Sequence, residues 1–250
     1  MLPLKDNIPT RRFPIVTVAI IAICCVVYFI LQKGGISGPS DASTVKFAAI
    51  PYEITHPGVH CQLAGQNAID CAKHGIAAQP ATWLTVIFAM FMHGSLLHIG
   101  GNMLFLWIFG NNIEDSMGRP RFIAFYLLGG LVASAAQVLV GPNSAVPTLG
   151  ASGAIAAVLG GYALLYPRAR VLTLIFIIIF VTVIELPALV VLGIWFLLQL
   201  LDASSQPLAG GGGVAYFAHI GGFVFGLLLI RVFAKHTQDD YQRGSRIPVY

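Results

Sequence analysis

The chain has 250 residues, of which 57% are hydrophobic and 10% charged, whereas soluble domains carry roughly 25% charged residues. A mean hydropathy of +0.81 excludes an ordinary water-soluble globule. The net charge of +4 is scattered, with no basic face interleaved with aromatics, which excludes a nucleic-acid binder.

Residues 1–13 form a short segment carrying Lys5, Arg11 and Arg12 ahead of the first apolar run, 14–31. That run is too long for a typical signal core and no small-x-small cleavage site follows it. It is therefore predicted to be a retained span. Cys24 and Cys25 within it read as small apolar residues. Residues 32–82 are predicted to be an outer loop insertion. A local disulfide between Cys61 and Cys71 is expected there if the loop faces an oxidising space, worth roughly 2–3 kcal/mol. The alternative is a zinc site from His56, His60 and His74, whose spacing fits no standard pattern.

Residues 83–92 (WLTVIFAMFM) are apolar but stop at His93-Gly94-Ser95. They are predicted to be a partly submerged loop segment, with Ser95 as the N-cap of a span over 95–113. Further spans are predicted at 121–140 and 152–166. The run 171–201 is too long for one upright helix and is interrupted by Glu185 and Pro187. Residues 171–183 are therefore assigned to an interfacial or re-entrant piece and 184–201 to the fifth span. The sixth covers 214–233, and 234–250 is expected to be a disordered cytoplasmic tail. The predicted fold is an all-α, polytopic bundle of six transmembrane helices over 14–233.

The basic residues orient it. With the N-terminus inside, the inner segments hold Lys5, Arg11, Arg12, Arg119, Arg121, Arg168, Arg170, Arg231, Lys235, Arg243 and Arg246. The outer segments hold only Lys33, Lys46 and Lys73. This distribution follows the positive-inside rule and predicts a multi-pass protein of the cell membrane with both termini cytoplasmic.

Spans two, four and six then run in the same direction, from outside to inside. Asn102 lies seven residues into its span, about 10 Å down, with His98 one turn above it. His219 lies roughly 8 Å down span six. Span four is short, about 22 Å against a hydrocarbon core of about 30 Å, so its first residue, Ser152, starts below the outer surface. Polar groups at this depth need partners or a function. Small residues at four-residue spacing, Gly153 to Gly161 on span four and Gly222 and Gly226 on span six, predict close packing of these two helices. That packing would bring the Ser152 hydroxyl to the His219 imidazole.

Such a pair suits nucleophilic acyl transfer. The imidazole takes the hydroxyl proton and later protonates the leaving amine. No acidic residue lies near His219 in the sequence, so a dyad without an orienting carboxylate is expected. The oxyanion would be met by the Ser152 N–H at a helix start and by the side chains of His98 and Asn102, each donor worth about 3–4 kcal/mol of barrier. Gly150 and Gly153 leave room for a substrate. The loop 141–150 is placed to cover or admit water.

Gly150-Ala151-Ser152-Gly153, His93-x4-His98-x3-Asn102 and Ala218-His219-x2-Gly222-x3-Gly226, in this order, resemble the rhomboid family of intramembrane serine proteases, of bacterial type. The resemblance covers about residues 80–233 plus the first span. It implies a six-helix rhomboid core and cleavage of transmembrane protein substrates near their outer ends, usually at small residues. It implies Ser152 as nucleophile, His219 as base, and His98, Asn102 and the Ser152 amide as the oxyanion hole. By the same resemblance His93 has a more structural role, and Glu114 matches the acid of a Glu-x-Arg motif. Ser116 stands where that motif has arginine, leaving Arg119 as the substitute. Ala156 stands where the family often has an aromatic stacked on the base, leaving Tyr216, Phe217 or Trp195 to hold His219.

Two other readings use the same residues. One is a non-catalytic binder of transmembrane clients. The other is a proton-coupled transporter relaying through His98, Asn102 and His219, though such proteins commonly show two-fold internal repeats and none is visible here. The sequence suggests no metal, nucleotide or organic cofactor. Its partners are the lipid bilayer and transmembrane substrates.

Overall fold

The computed structural model describes residues 1–36, 38–65, 68–73, 79–177, 180–205 and 215–235. Strand β1 (Leu2–Asp6) opens the chain, followed by helix α1 (Ile15–Val26), which continues into a π-helical turn at Val27–Leu31. The insertion that follows holds two short helices, α2 (Asp41–Phe47) and α3 (Pro51–Thr55), and the hairpin β2 (His60–Ala64) and β3 (Ala68–Ala72). After it come α4 (Thr82–Ala89) and α5 (Leu96–Phe105). A π-helical turn at Leu106–Gly110 joins α5 to α6 (Asn111–Met117), so the helical path runs without a break. Then follow α7 (Arg119–Val140), α8 (Ser152–Leu165), strands β4 (Arg170–Ile177) and β5 (Phe180–Pro187), α9 (Ala188–Ser205) and α10 (Tyr216–Phe233).

Among the described residues three helices, α7, α9 and α10, are long and apolar enough to cross a membrane, with α1 plus its π turn and α8 as shorter apolar helices. Their outward faces carry large apolar side chains such as Leu139, Leu197, Leu228 and Val232, the surface expected of a protein solvated by lipid. The centre is α8. It is apolar on every side, and all but two of its residues, Ser152 and Leu164, are buried, as befits a helix surrounded by others. Its 14 residues span about 21 Å.

The glycines explain how α10 reaches it. A Cβ on Gly222 would strike the carbonyl of Gly153, one on Gly226 the carbonyl of Ala157, and one on Gly160 the carbonyl of Phe223. Only hydrogen at these positions lets the two backbones meet, the small-residue packing typical of membrane helices. Alpha-7 closes the other side of α8, with Gly129 against Ala157 and Gly130 against Ala154.

Three sequence expectations need correction. The fold is not all-α: β1, β4 and β5 form an antiparallel sheet in the order β1-β4-β5, and β2-β3 form a second. Residues 171–177 and 180–183, expected to be an interfacial or re-entrant piece, lie in strands β4 and β5 of an antiparallel hairpin, and the following helix starts at Ala188 and not at 184. The reason lies in composition: Val, Ile, Thr and Phe dominate LTLIFIIIFVTVI, and β-branched and aromatic residues fit a pleated surface. Residues 82–89 are helical, so the segment before His93 is a short helix and not a loop. The tail expected to be disordered lies, from 236 on, outside the described residues.

Strand β1 is tied to the helices by its last residue. Asp6 accepts hydrogen bonds from Tyr162 of α8 and Asn112 of α6. Burial pushes its carboxyl up to about 6, outweighing the hydrogen bond from Tyr162. In the insertion between α1 and α4, Cys61 and Cys71 are disulfide-bonded, and Cys61 packs with Val45 and Ile50 in a small core of its own. Burial also raises the Glu53 carboxyl, which accepts the backbone N–H of Cys61. Ala49 and Thr148 exchange two backbone hydrogen bonds of 3.0 and 2.8 Å, joining the insertion to the loop before α8.

Candidate active site

Ser152 is the first residue of α8 and His219 lies four positions into α10. The glycine seam brings them together: His219 Nε2 stands 2.7 Å from Ser152 Oγ. His219 is 9% exposed, so its other ring nitrogen must also find a partner within the protein. That partner is Gln199 of α9, whose Oε1 lies 2.7 Å from Nδ1. An amide oxygen accepts, so Nδ1 carries the ring proton and Nε2 presents its lone pair to the hydroxyl. Gln199 itself is buried, and its amide nitrogen donates to the Trp195 carbonyl one turn earlier.

Sequence reasoning missed Gln199. The available signal was an amide in an otherwise apolar span, which needs a partner or a job. Of the three aromatics expected to hold His219, Trp195 and Tyr216 have ring centroids 5.8 and 6.4 Å from it. The imidazole is thus set by an amide and two neighbouring rings.

Gly150 has a φ of +130°, a backbone conformation that favours glycine. A Cβ there would lie 2.9 Å from His98 Nε2 and 3.4 Å from Ser152 Oγ, so the glycine separates the histidine edge from the hydroxyl. Its N–H bonds the carbonyl of Ala89, which fastens the loop before α8 to α4. Gly153 likewise accommodates Ala133 of α7.

Ser95 caps α5, its hydroxyl oxygen accepting the N–H of His98 at 3.1 Å. Asn102 lies one turn further, on the same helix face. It is buried, and its amide nitrogen has no hydrogen-bond partner among the described residues. A buried donor left open is costly and is a natural place for a transient negative charge. His93 is fully buried, edge-on to His98 at 5.2 Å between centroids. Its backbone is clasped on both sides by Gln32, whose amide accepts the His93 N–H at 3.0 Å and donates to the His93 carbonyl at 3.1 Å.

A cavity of about 30 Å³ lies beside Ser152, walled by Gly130, Ala133, Gln137, Gly150, Ala215 and Ala218 among others. It has room for one or two waters. Glu114 is remote from this cluster. Its carboxylate accepts the N–H groups of Val16 and Thr17 and the Thr17 hydroxyl, capping α1. Arg119 is therefore not its partner, because the free N–H groups of α1 already satisfy it. Among the described residues there is no cluster of metal-ligating side chains.

A family model described as the Rhomboid domain matches residues 80–236. Rhomboid protein 1, mitochondrial, of Saccharomyces cerevisiae is 29% identical over 171 residues, covering 64% of this chain and 44% of the yeast protein. Presenilin-associated rhomboid-like protein A, mitochondrial, of Danio rerio is 32% identical over 150 residues, covering 59% and 37%. Rhomboid protease GluP of Bacillus subtilis is 34% identical over 99 residues, covering 40% and 18%. The chain thus spans less than half the length of these relatives.

Proposed function

The chain belongs to the rhomboid family, and from that premise we propose that it is a serine-type intramembrane endopeptidase acting on transmembrane segments. The observation that carries this reading is the 2.7 Å approach of His219 Nε2 to Ser152 Oγ. In the proposed reaction Nε2 takes the hydroxyl proton as Oγ attacks a peptide carbonyl. The resulting oxyanion is met by the Ser152 N–H, at the unsatisfied start of α8, and by His98 and Asn102. The proton then passes from His219 to the leaving amine, and water hydrolyses the acyl-enzyme by the same route. Gln199 holds the imidazole in the tautomer this sequence needs. The Gly- and Ala-walled cavity favours a small side chain next to the scissile bond.

We further propose the six-span topology, counting α1, α5 with α6, α7, α8, α9 and α10, with both termini in the cytoplasm of a cell carrying the protein in its membrane. The helix lengths, the charge asymmetry and the family support it.

A fluorophosphonate probe tests the chemistry. Ser152 is expected to be labelled in the wild type and in neither Ser152→Ala nor His219→Ala. A wild type that folds yet is never labelled would instead support a non-catalytic binder of transmembrane clients.

A further inference from the structure

We infer that the inner face carries a binding site for the phosphate of an anionic phospholipid. A cavity of about 600 Å³ opens between the residues before α1, the turn from α6 to α7, and the residues after α10. Four cations from these three parts of the chain line it: Arg12, Arg119, Arg121 and Lys235. Among the described residues none of the four is paired with a carboxylate. The one hydrogen bond made by their side chains is from Arg121 Nη1 to the Phe233 carbonyl, 3.1 Å.

Two carboxylates share the wall with these four cations and leave a net charge of +2 (4 − 2), each of them also held by hydrogen bonds from elsewhere. Glu114 is committed to capping α1. Asp115 accepts the Arg11 backbone N–H at 2.6 Å. Four cations against two carboxylates leave an excess of positive charge around one concavity, where the cations still repel each other and concentrate a positive field. A counter-anion relieves that repulsion.

The location selects the anion. Arg12 lies three residues before α1 and Lys235 two residues after α10, so the cavity opens at the depth of the inner headgroups. Phe13 forms part of the wall and is 65% exposed. Ile15, just inside α1, is 46% exposed. Charge at the mouth with apolar surface continuing along the helix matches a lipid, whose phosphate is bound by the arginines while its chains lie along α1. The positive-inside rule explains which side these cations occupy. It does not explain their convergence on one cavity.

The test uses the purified full chain in a zwitterionic detergent. Binding of short-chain phosphatidylglycerol, phosphatidylcholine and inorganic phosphate is titrated separately. The expected result is saturable phosphatidylglycerol binding, little phosphatidylcholine binding, and weak competition by inorganic phosphate. Arg12→Gln with Arg119→Gln should weaken phosphatidylglycerol binding about thirtyfold. Arg12→Lys with Arg119→Lys should retain most of it. Lys33→Gln with Lys46→Gln, an equal loss of charge on the outer side, should leave it unchanged. Equal binding of both lipids, no loss in the glutamine pair, or equal loss in the outer control would overturn the site. Tight binding of inorganic phosphate that lipid does not displace would overturn the lipid assignment.

Discussion

Gln199 Oε1 and His219 Nδ1 lie 2.7 Å apart on neighbouring helices, and this contact decides which nitrogen of the imidazole faces Ser152. An amide there supplies orientation without adding a negative charge to a membrane interior, where a carboxylate would be costly unless paired. Replacing it by leucine keeps the volume and removes the acceptor. Gln199→Leu is expected to lower kcat about tenfold or more, equivalent to about 1.4 kcal/mol, with KM little changed. Gln199→Asn should recover part of the rate if the amide can still reach. Steady-state kinetics on a transmembrane substrate, with thermal unfolding as a fold control, would read both.

The proposed Ser152–His219 dyad has a sharper signature. Ser152→Ala and His219→Ala should each reduce cleavage by about 10⁴-fold or more, and the double variant should cost no more than either alone, because the two residues act as one unit. Additive losses would argue against a shared step.

The glycine seam carries the geometry. Gly226→Ala places a methyl group against the Ala157 carbonyl, a backbone atom that cannot move aside. Overpacking of this kind costs about 1–3 kcal/mol, or a few degrees of Tm for a chain of this size. Cleavage should fall with it, since the seam sets the distance from Ser152 to His219. Gly193→Ala, where nothing lies within 4 Å, is the control expected to unfold at or slightly above the wild-type temperature.

Asp6 gives a pH dependence with a definite sign. Its carboxyl is raised from 3.8 to about 6 in the folded chain by burial, so the folded state holds a proton that the unfolded state has released between these values. Its stabilising effect is complete below about pH 4, is lost as pH rises towards 6, and stays lost above. Asp6→Asn, which keeps an acceptor for Tyr162, should flatten the fall in Tm between pH 4 and 6.5. An unchanged slope would assign the effect elsewhere.

The Cys61–Cys71 disulfide closes a hairpin over a core of three buried residues, Val45, Ile50 and Cys61. Reduction, or Cys61→Ser with Cys71→Ser, should destabilise this unit by roughly 2–3 kcal/mol. The expected readout is faster proteolytic nicking between residues 40 and 80, with the membrane helices remaining intact.

Much of the architecture was legible in the chain because hydrocarbon leaves so few options. Every backbone group must be bonded internally, so long apolar runs read as helices, and isolated polar residues such as His98, Asn102, Ser152 and His219 stand out against them. Glycines at four-residue spacing announced which helices would touch. The β4-β5 hairpin was not legible, because a run rich in Ile, Val and Phe suits a buried strand as well as an apolar helix. Strand pairing decides between them, of β4 with β5 and with β1 from the far end of the chain. Gln199 could be seen as an odd amide but not as the partner of His219, since the turn of α9 about its own axis sets where that amide points. Composition and periodicity determine which segments leave water. The rotation and depth of each helix against its neighbours determine which side chains meet, and those come from packing among residues distant in sequence.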